Sequence, residues 1–463
     1  MPPVKALIII SVLALLSLLG QITRYKQQIY MALIAGLVLA FGITLADWGI
    51  RESYFHNMIS SDSYSLSFSA LLIACTGVSL LLSPMYYNRL NLPYMDIAAM
   101  KLFALAGGIC IVSFVNLGLL FIGIELLSIS SFVLAGSDKR NLLSNEASLK
   151  YFITGSVFSS FLLFGIALVY AVTGSFDVTV IGAFYSQAGG NINNLFYVGM
   201  LMIIIALGFK VAAAPFHFWA PDVYDGSPAM VTLFLSTMGK IAAFGAFLRL
   251  FNQAFLPVPY HIGILTCIMA VATMFIGNLS ALWQDSYKRM LAYSAVAQTG
   301  YLLLVIPASG SMSADVLFYN GITYIAASVI AFSVLLLLNQ YTESESRSQL
   351  IGLAKQNPFL AFAVTVAMLS LAGIPPTAGF FGKYYLFTLA AGAGYTPAVV
   401  FAVISSLISI FFYFDIIIKM YTGEAQEQLK MVIPPAYSFS IFVSLIVLIL
   451  LGVFPGILTG LLQ

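Results

Sequence analysis

Glu125, Lys210, Lys240 and Lys383 each stand inside a long apolar run, in the contexts GIELLS, GFKVA, MGKIA and FGKYY. A charged side chain near the centre of a bilayer costs roughly 2.5–3.5 kcal/mol even on the mildest insertion scale, so four of them need a reason. Three are lysines, the cation whose proton affinity falls most readily on leaving water, so a set of this kind can pass protons inside a membrane. Glu125 also has a plain structural reading, as an ion-pair partner of Lys210 or Lys240, although a soft buried pair is itself a switch. Lys240 lies mid-span with no acidic residue in its own helix, which suits a central relay, and Lys383 lies nearer the outer end of its span, as an exit residue would. Lys150 opens a span and can either snorkel or act. His217, in PFHFW, is a relay candidate or a polar lining residue, whereas His56 and His261 fall in or near outward-facing loops. Asp415 precedes Lys419 by four residues, the spacing of an ion pair along a helix.

The elements that must hold these residues are membrane helices. The chain has 463 residues, 61% hydrophobic and 8% charged, with mean hydropathy +1.01, against about 25% charged in soluble domains. Its net charge of +2 offers no basic field for nucleic acid. Cys75, Cys110 and Cys267 lie singly and far apart, which excludes an iron–sulfur spacing, and no two histidines are placed as axial haem ligands. The opening MPPVKALIIISVLALLSLLG reads as a retained first helix rather than a cleaved signal.

At about 20 apolar residues per span, fourteen spans are predicted, near residues 3–21, 28–46, 64–84, 98–115, 117–135, 148–172, 195–219, 229–250, 260–283, 290–307, 315–338, 358–391, 396–418 and 433–459. The link 116–118 is the weakest division, and no polar stretch is long enough for a nucleotide- or flavin-binding domain. Counting Lys and Arg by loop gives thirteen on one side, Lys101 and Lys430 among them, against Lys5, Arg51 and Arg249 on the other. That bias predicts both termini on the outer side of a bacterial cytoplasmic membrane. Spans 7 and 12 carry breaks, at Pro215 with Pro221 and at Pro375–Pro376 with Gly379 and Gly382. Breaks five spans apart fit two inverted five-helix repeats, spans 4–8 and 9–13, the plan of transporters whose broken helices line an ion site. The predicted fold is an all-α polytopic membrane protein divided into residues 1–97, repeats 98–250 and 251–420, and a last helix within 421–463.

Residues 208–240, GFKVAAAPFHFWAPDVYDGSPAMVTLFLSTMGK, resemble subunit N of the proton-pumping NADH:quinone oxidoreductase, respiratory complex I. IELLSISSFVLAG (124–136), EASLKYFITGSVFSS (146–160), KRMLAYSAVAQTGY (288–301) and GIPPTAGFFGKYY (373–385) extend the match in order from about 120 to 390. The resemblance implies an antiporter-like subunit of fourteen helices with no redox cofactor of its own. NAD, FMN, iron–sulfur clusters and quinone are then expected on partner subunits, and the partners are other membrane subunits of complex I and the lipid bilayer. It also implies roles: Glu125 paired with Lys210, Lys240 as central relay and Lys383 at the exit. Lys150, His217, Tyr293 and Gln298 are secondary candidates. Two residues depart from the pattern. Gln298 stands where the family often has histidine, and a glutamine can hold a water wire but cannot titrate; Asp415 stands where arginine is frequent.

Two rival readings share this scaffold. A sodium/proton antiporter subunit would want oxygen ligands at its site, and this interior offers one mid-span carboxylate against three lysines. A purely structural membrane subunit would lose nothing by exchanging those charges for leucine. A catalytic quinone oxidoreductase lacks a redox ligand set.

Overall fold

Each predicted span finds a helix or a helix pair in the computed structural model, which describes residues 2–188, 192–341, 345–422, 432–458 and 460. Eleven helices of the described residues are long and apolar enough to cross a membrane. Two of the remaining three spans are the interrupted ones, and the third is a helix of 17 residues, Tyr287–Leu303. The fold is that of an all-α polytopic membrane protein, in two compact units.

The first unit runs to Gly263 and includes Ala308–Ala314. It contains α1 (Pro2–Ile22), α2 (Lys26–Ala46), strands β1 (Glu52–Tyr54) and β2 (Ile59–Ser61), α3 (Ser63–Arg89), α4 (Tyr94–Ser113), α5 (Leu117–Ala135), α6 (Leu142–Thr173), α7 (Val178–Gln187), α8 (Asn194–Lys210), α9 (Trp219–Gly226), α10 (Ala229–Phe234) and α11 (Lys240–Ala254). Helices α4 and α5 pack closely, as do α6 and α8, while α11 lies against α4 and α7. The stretch from α10 through the first turns of α11 is enclosed, whereas α2 and α6 leave most of their surface exposed.

The division at residues 116–118 is sharp. Phe114 leaves α4 in extended conformation, and Asn116 caps α5 by accepting from the Gly118 amide. Backbone bonds from Val115 to Met58, Leu117 to Phe176 and Val178 to Val115 then stitch the link in place. The antiparallel β1–β2 hairpin and the short α7 were not foreseen. They cover this link, and His56 sits in the hairpin turn at positive φ.

The second unit comprises Ile264–Pro307 and Asp315–Gly460. Its helices are α12 (Tyr260–Leu282, entering from the first unit), α13 (Tyr287–Leu303), α14 (Ser313–Tyr341), α15 (Leu353–Gln356), α16 (Pro358–Ala372), α17 (Ala378–Gly392), α18 (Thr396–Thr422) and α19 (Pro435–Val453). Helix α16 packs on α18, and α17 on α19. Asp415 lies between Lys419 (2.7 Å) and Arg347 (3.4 Å), so the expected pair along α18 forms and gains a third charge.

Among the charges of the loop count, Lys101 and Arg249 are interior residues. Lys101 lies inside α4, wholly buried, and Arg249 lies inside α11 at 2% exposure. Arg249 donates to the Phe114 carbonyl (2.7 Å) and to both oxygens of Asp62 (3.2 and 2.9 Å). Both belong to the interior because non-local partners accept their hydrogen bonds, which counting along the chain does not see. Lys430 falls outside the described residues.

Candidate functional site: buried lysines at two helix interruptions

Helix α8 ends at Lys210 because Ala212 adopts a left-handed conformation (φ +61°) and Pro215 follows, with no N–H to continue the ladder. The last carbonyls of a helix have no partner within it. Here the Trp219 indole donates to Phe209 O at 3.0 Å and the Ala213 amide to Gly208 O at 2.8 Å. Lys210 therefore stands at the negative pole of a half-helix, where a cation gains about 0.3–1 kcal/mol or more when partly buried. Its ammonium donates to Ser128 Oγ (2.9 Å) and the Tyr151 hydroxyl (3.3 Å). Tyr151 is fixed by a parallel stack on Trp219, with ring centroids 4.3 Å apart, and by the edge of Phe132.

Glu125 is one turn before Ser128 on α5, half-buried, and its carboxylate accepts from the Ser159 hydroxyl. Among the described residues no ion pair joins it to Lys210; the two charges attract across a wider gap. Lys150, on α6, is paired with Asp222 of α9, with side chains 36% and 40% exposed. His217 lies half-buried in the turn between α8 and α9.

Lys240 begins α11 directly after a π-helical turn, Leu235–Gly239, and is 2% exposed. Such a turn holds an extra residue and recurs at functional positions. Around it α4 comes close: a methyl group at Gly108 would touch Ala242 and Met238 at 3.5 Å.

In the second unit, α16 stops at Ala372 and Gly373 turns back at φ +81°, with Pro375 and Pro376 in the gap before α17. Lys383 reaches back from α17 to donate to the orphaned carbonyl of Ala372 (2.8 Å) and to Ser406 Oγ (2.9 Å). Its ammonium lies 4.5 Å from the centroid of the Tyr301 ring, within cation–π range. The lysine stem fills the space over Gly373, where a Cβ would meet Lys383 Cδ at 2.7 Å. Gly379 lets α17 approach the end of α16, since a Cβ there would fall 1.8 Å from Ser370 O. A cavity of about 20 Å³, room for about one water, is lined by Lys383, Gln298, Tyr301, Asn320 and Ser370 among others. Gln298 donates to Leu371 O at 3.0 Å, while Tyr293 lies half-buried five residues earlier on α13.

The arrangement repeats a theme in each unit: the C-terminal end of a half-helix faces a buried lysine held by neutral oxygens. Four partners were missed from sequence, namely Ser128, Tyr151, Tyr301 and Ser406. Ser128 and Tyr151 have faint signals, a hydroxyl one turn from Glu125 and a tyrosine next to Lys150; Tyr301 and Ser406 become partners only through the packing of α13 and α18 on α17.

The family model described as NADH:quinone oxidoreductase/Mrp antiporter, TM, matches residues 115–409. The chain is 39% identical over 457 residues to NADH-quinone oxidoreductase subunit N of Cytophaga hutchinsonii, covering 98% of both, and 39% identical over 459 residues to that of Flavobacterium psychrophilum, covering 99% of this chain and all of the relative. Among solved structures it is similar to a chain of respiratory complex I from Thermus thermophilus with bound aureothin, with TM-score 0.84, 32% identity and 98% of both chains covered. The fold is also that of a chain in the Mrp complex from Dietzia, with TM-score 0.82 at 21% identity over 99% of this chain and 96% of that one.

Proposed function

Since the chain belongs to the NADH:quinone oxidoreductase/Mrp antiporter family, as an antiporter-like membrane subunit N of NADH-quinone oxidoreductase, we propose that it carries protons across the membrane through Glu125, Lys210, Lys240 and Lys383. Quinone reduction in partner subunits drives the transfer, and NAD, FMN, the iron–sulfur clusters and quinone belong to those partners. The observation that carries this reading is the pair of interrupted helices, each aiming its negative end at a buried lysine whose contacts are neutral oxygens. A lysine held by hydroxyls and carbonyls rather than by a bonded carboxylate can lose its proton without stranding a buried anion. Lys240 is the central station, and Glu125 tunes Lys210 by a change in separation. Gln298 holds water beside Lys383 rather than titrating. Repeats at 98–250 and 251–420, with both termini on the outer side, complete the proposal.

Lys240→Ala in the whole complex, reconstituted in liposomes, tests it. The variant complex is expected to assemble and to move at least about tenfold fewer protons per unit time during NADH oxidation, a conservative loss for a missing proton-transfer group. Proton uptake equal to wild type would remove Lys240 from the path.

A further inference from the structure

Lys101 belongs to neither interruption, yet its surroundings are built for it. It lies on α4 and is wholly buried, so its ammonium cannot snorkel to water. The three N–H bonds of the ammonium are met by Ser79 Oγ (2.8 Å), Ser83 Oγ (2.8 Å) and, more loosely, the Ser79 carbonyl (3.5 Å). The rings of Tyr87 and Phe234 stand 5.5 and 5.7 Å from the nitrogen. Ser79 and Ser83 are one turn apart on α3, so a single helix face supplies the cage.

The titratable groups on that face are Cys75 and Tyr87. The elements packed on the other side contribute Phe234, Met230 and Thr237, none of them charged. The cage leads somewhere. Ser79 donates to Met230 Sδ on α10 (3.9 Å), and Cys75, one turn before Ser79, donates to Thr237 Oγ1 (3.3 Å). Thr237 is in the π-helical turn, three residues before Lys240. A lysine kept only for packing would be served by leucine or methionine in this apolar setting. One that must keep its charge would want a carboxylate rather than hydroxyls that both donate and accept.

We propose that Lys101 is a further proton-holding residue of the first unit, exchanging protons with Lys240 along the Ser79, Cys75 and Thr237 side. In the step, an N–H bond of the Lys101 ammonium breaks and its electron pair stays on nitrogen, leaving a neutral amine. The proton passes through hydroxyl groups and water to the neutral amine of Lys240, which becomes the ammonium. No other species is consumed. The proposal rests on the relay reading of Lys240.

The test uses the whole complex in liposomes, reading proton uptake with a pH-sensitive dye against NADH consumed. Lys101→Met removes the titrating group at nearly constant volume. Lys101→Arg keeps the charge but cannot release its proton. Both are expected to lose at least about tenfold in pumping rate. Wild-type pumping in Lys101→Met, or full pumping in Lys101→Arg, would overturn the proposal, the second outcome identifying a structural cation. If Lys101→Met does not assemble, the Ser79→Ala/Ser83→Ala pair decides instead: it keeps the lysine and dismantles the cage, and unchanged pumping would equally overturn the proposal. Lys240→Ala measured in parallel separates the two readings. A silent Lys240→Ala removes the relay itself, whereas a dead Lys240→Ala beside a normal Lys101→Met removes only Lys101.

Discussion

At the scale of single residues, Lys383 shows how much the site depends on an atom that is missing. Gly373 carries two demands at once, a left-handed backbone and an empty volume over which the lysine stem lies. Gly373→Ala would cost about 1–2 kcal/mol for the backbone alone and would displace the Lys383 stem. We expect an assembled complex with a slightly lowered melting temperature and a much larger loss of proton uptake per NADH; uptake falling no further than stability would show that the lysine position is immaterial. Glu125, Lys210, Lys240 and Lys383 were legible in the sequence because a charge in the middle of an apolar run is conspicuous. Their partners were not, because serine and tyrosine are ordinary in membrane helices and mean nothing until a neighbouring helix turns them toward a cation. Along the sequence Lys101 looks like a loop charge for a related reason. It falls near the start of its predicted span, and what places it inside is a pair of serines on α3 about 20 residues away.

At the scale of elements, the two interruptions were visible as proline and glycine clusters, but the π-helical turn before Lys240 was not, since LSTMG contains no residue that demands it. The hairpin and the Asp62–Arg249 bridge were equally hidden. Asp62 caps α3 through Ser65 and anchors the far end of α11 through Arg249. Burial pushes its carboxyl up, but the Arg249 charge and the bonds from Arg249 and Ser65 outweigh this and hold it below the usual carboxylate range. A lowered folded-state pKa means that the bridge contributes fully above the unfolded value of about 3.9 and is lost as pH falls through the lowered one. Asp62→Asn leaves Arg249 buried and unpaired, at a cost of about 3 kcal/mol, the low end for a broken buried pair because Asp62 is still 27% exposed. Thermal unfolding should show that loss near neutral pH. It should also show that adding Arg249→Met recovers most of it; a double variant no better than the single one would mean that the bridge is not the cause.

At the scale of the whole molecule, the polytopic all-α fold was legible from hydropathy and the family from ordered motifs, whereas the orientation rests on loop charge that the structure trims by Lys101 and Arg249. The sidedness is open to direct measurement. With Cys75, Cys110 and Cys267 replaced, single cysteines at the exposed positions Asn141 and Ser348 should resist an impermeant thiol reagent on intact cells and react once the membrane is opened. Labelling of either from outside would reverse the assignment of Lys383 to the exit.

If the chain carries protons as proposed, the cavity beside Lys383 bears on a different duty, which is to hold back the gradient that pumping builds. A continuous column of water would let protons run home without turning the machine. A space of about 20 Å³ admits one molecule, and Leu386, Leu371 and Leu302 share its wall with the polar groups. On the proposed reading, close packing at this point would insulate a charged membrane: it would let the lysine be wetted without letting the bilayer be short-circuited.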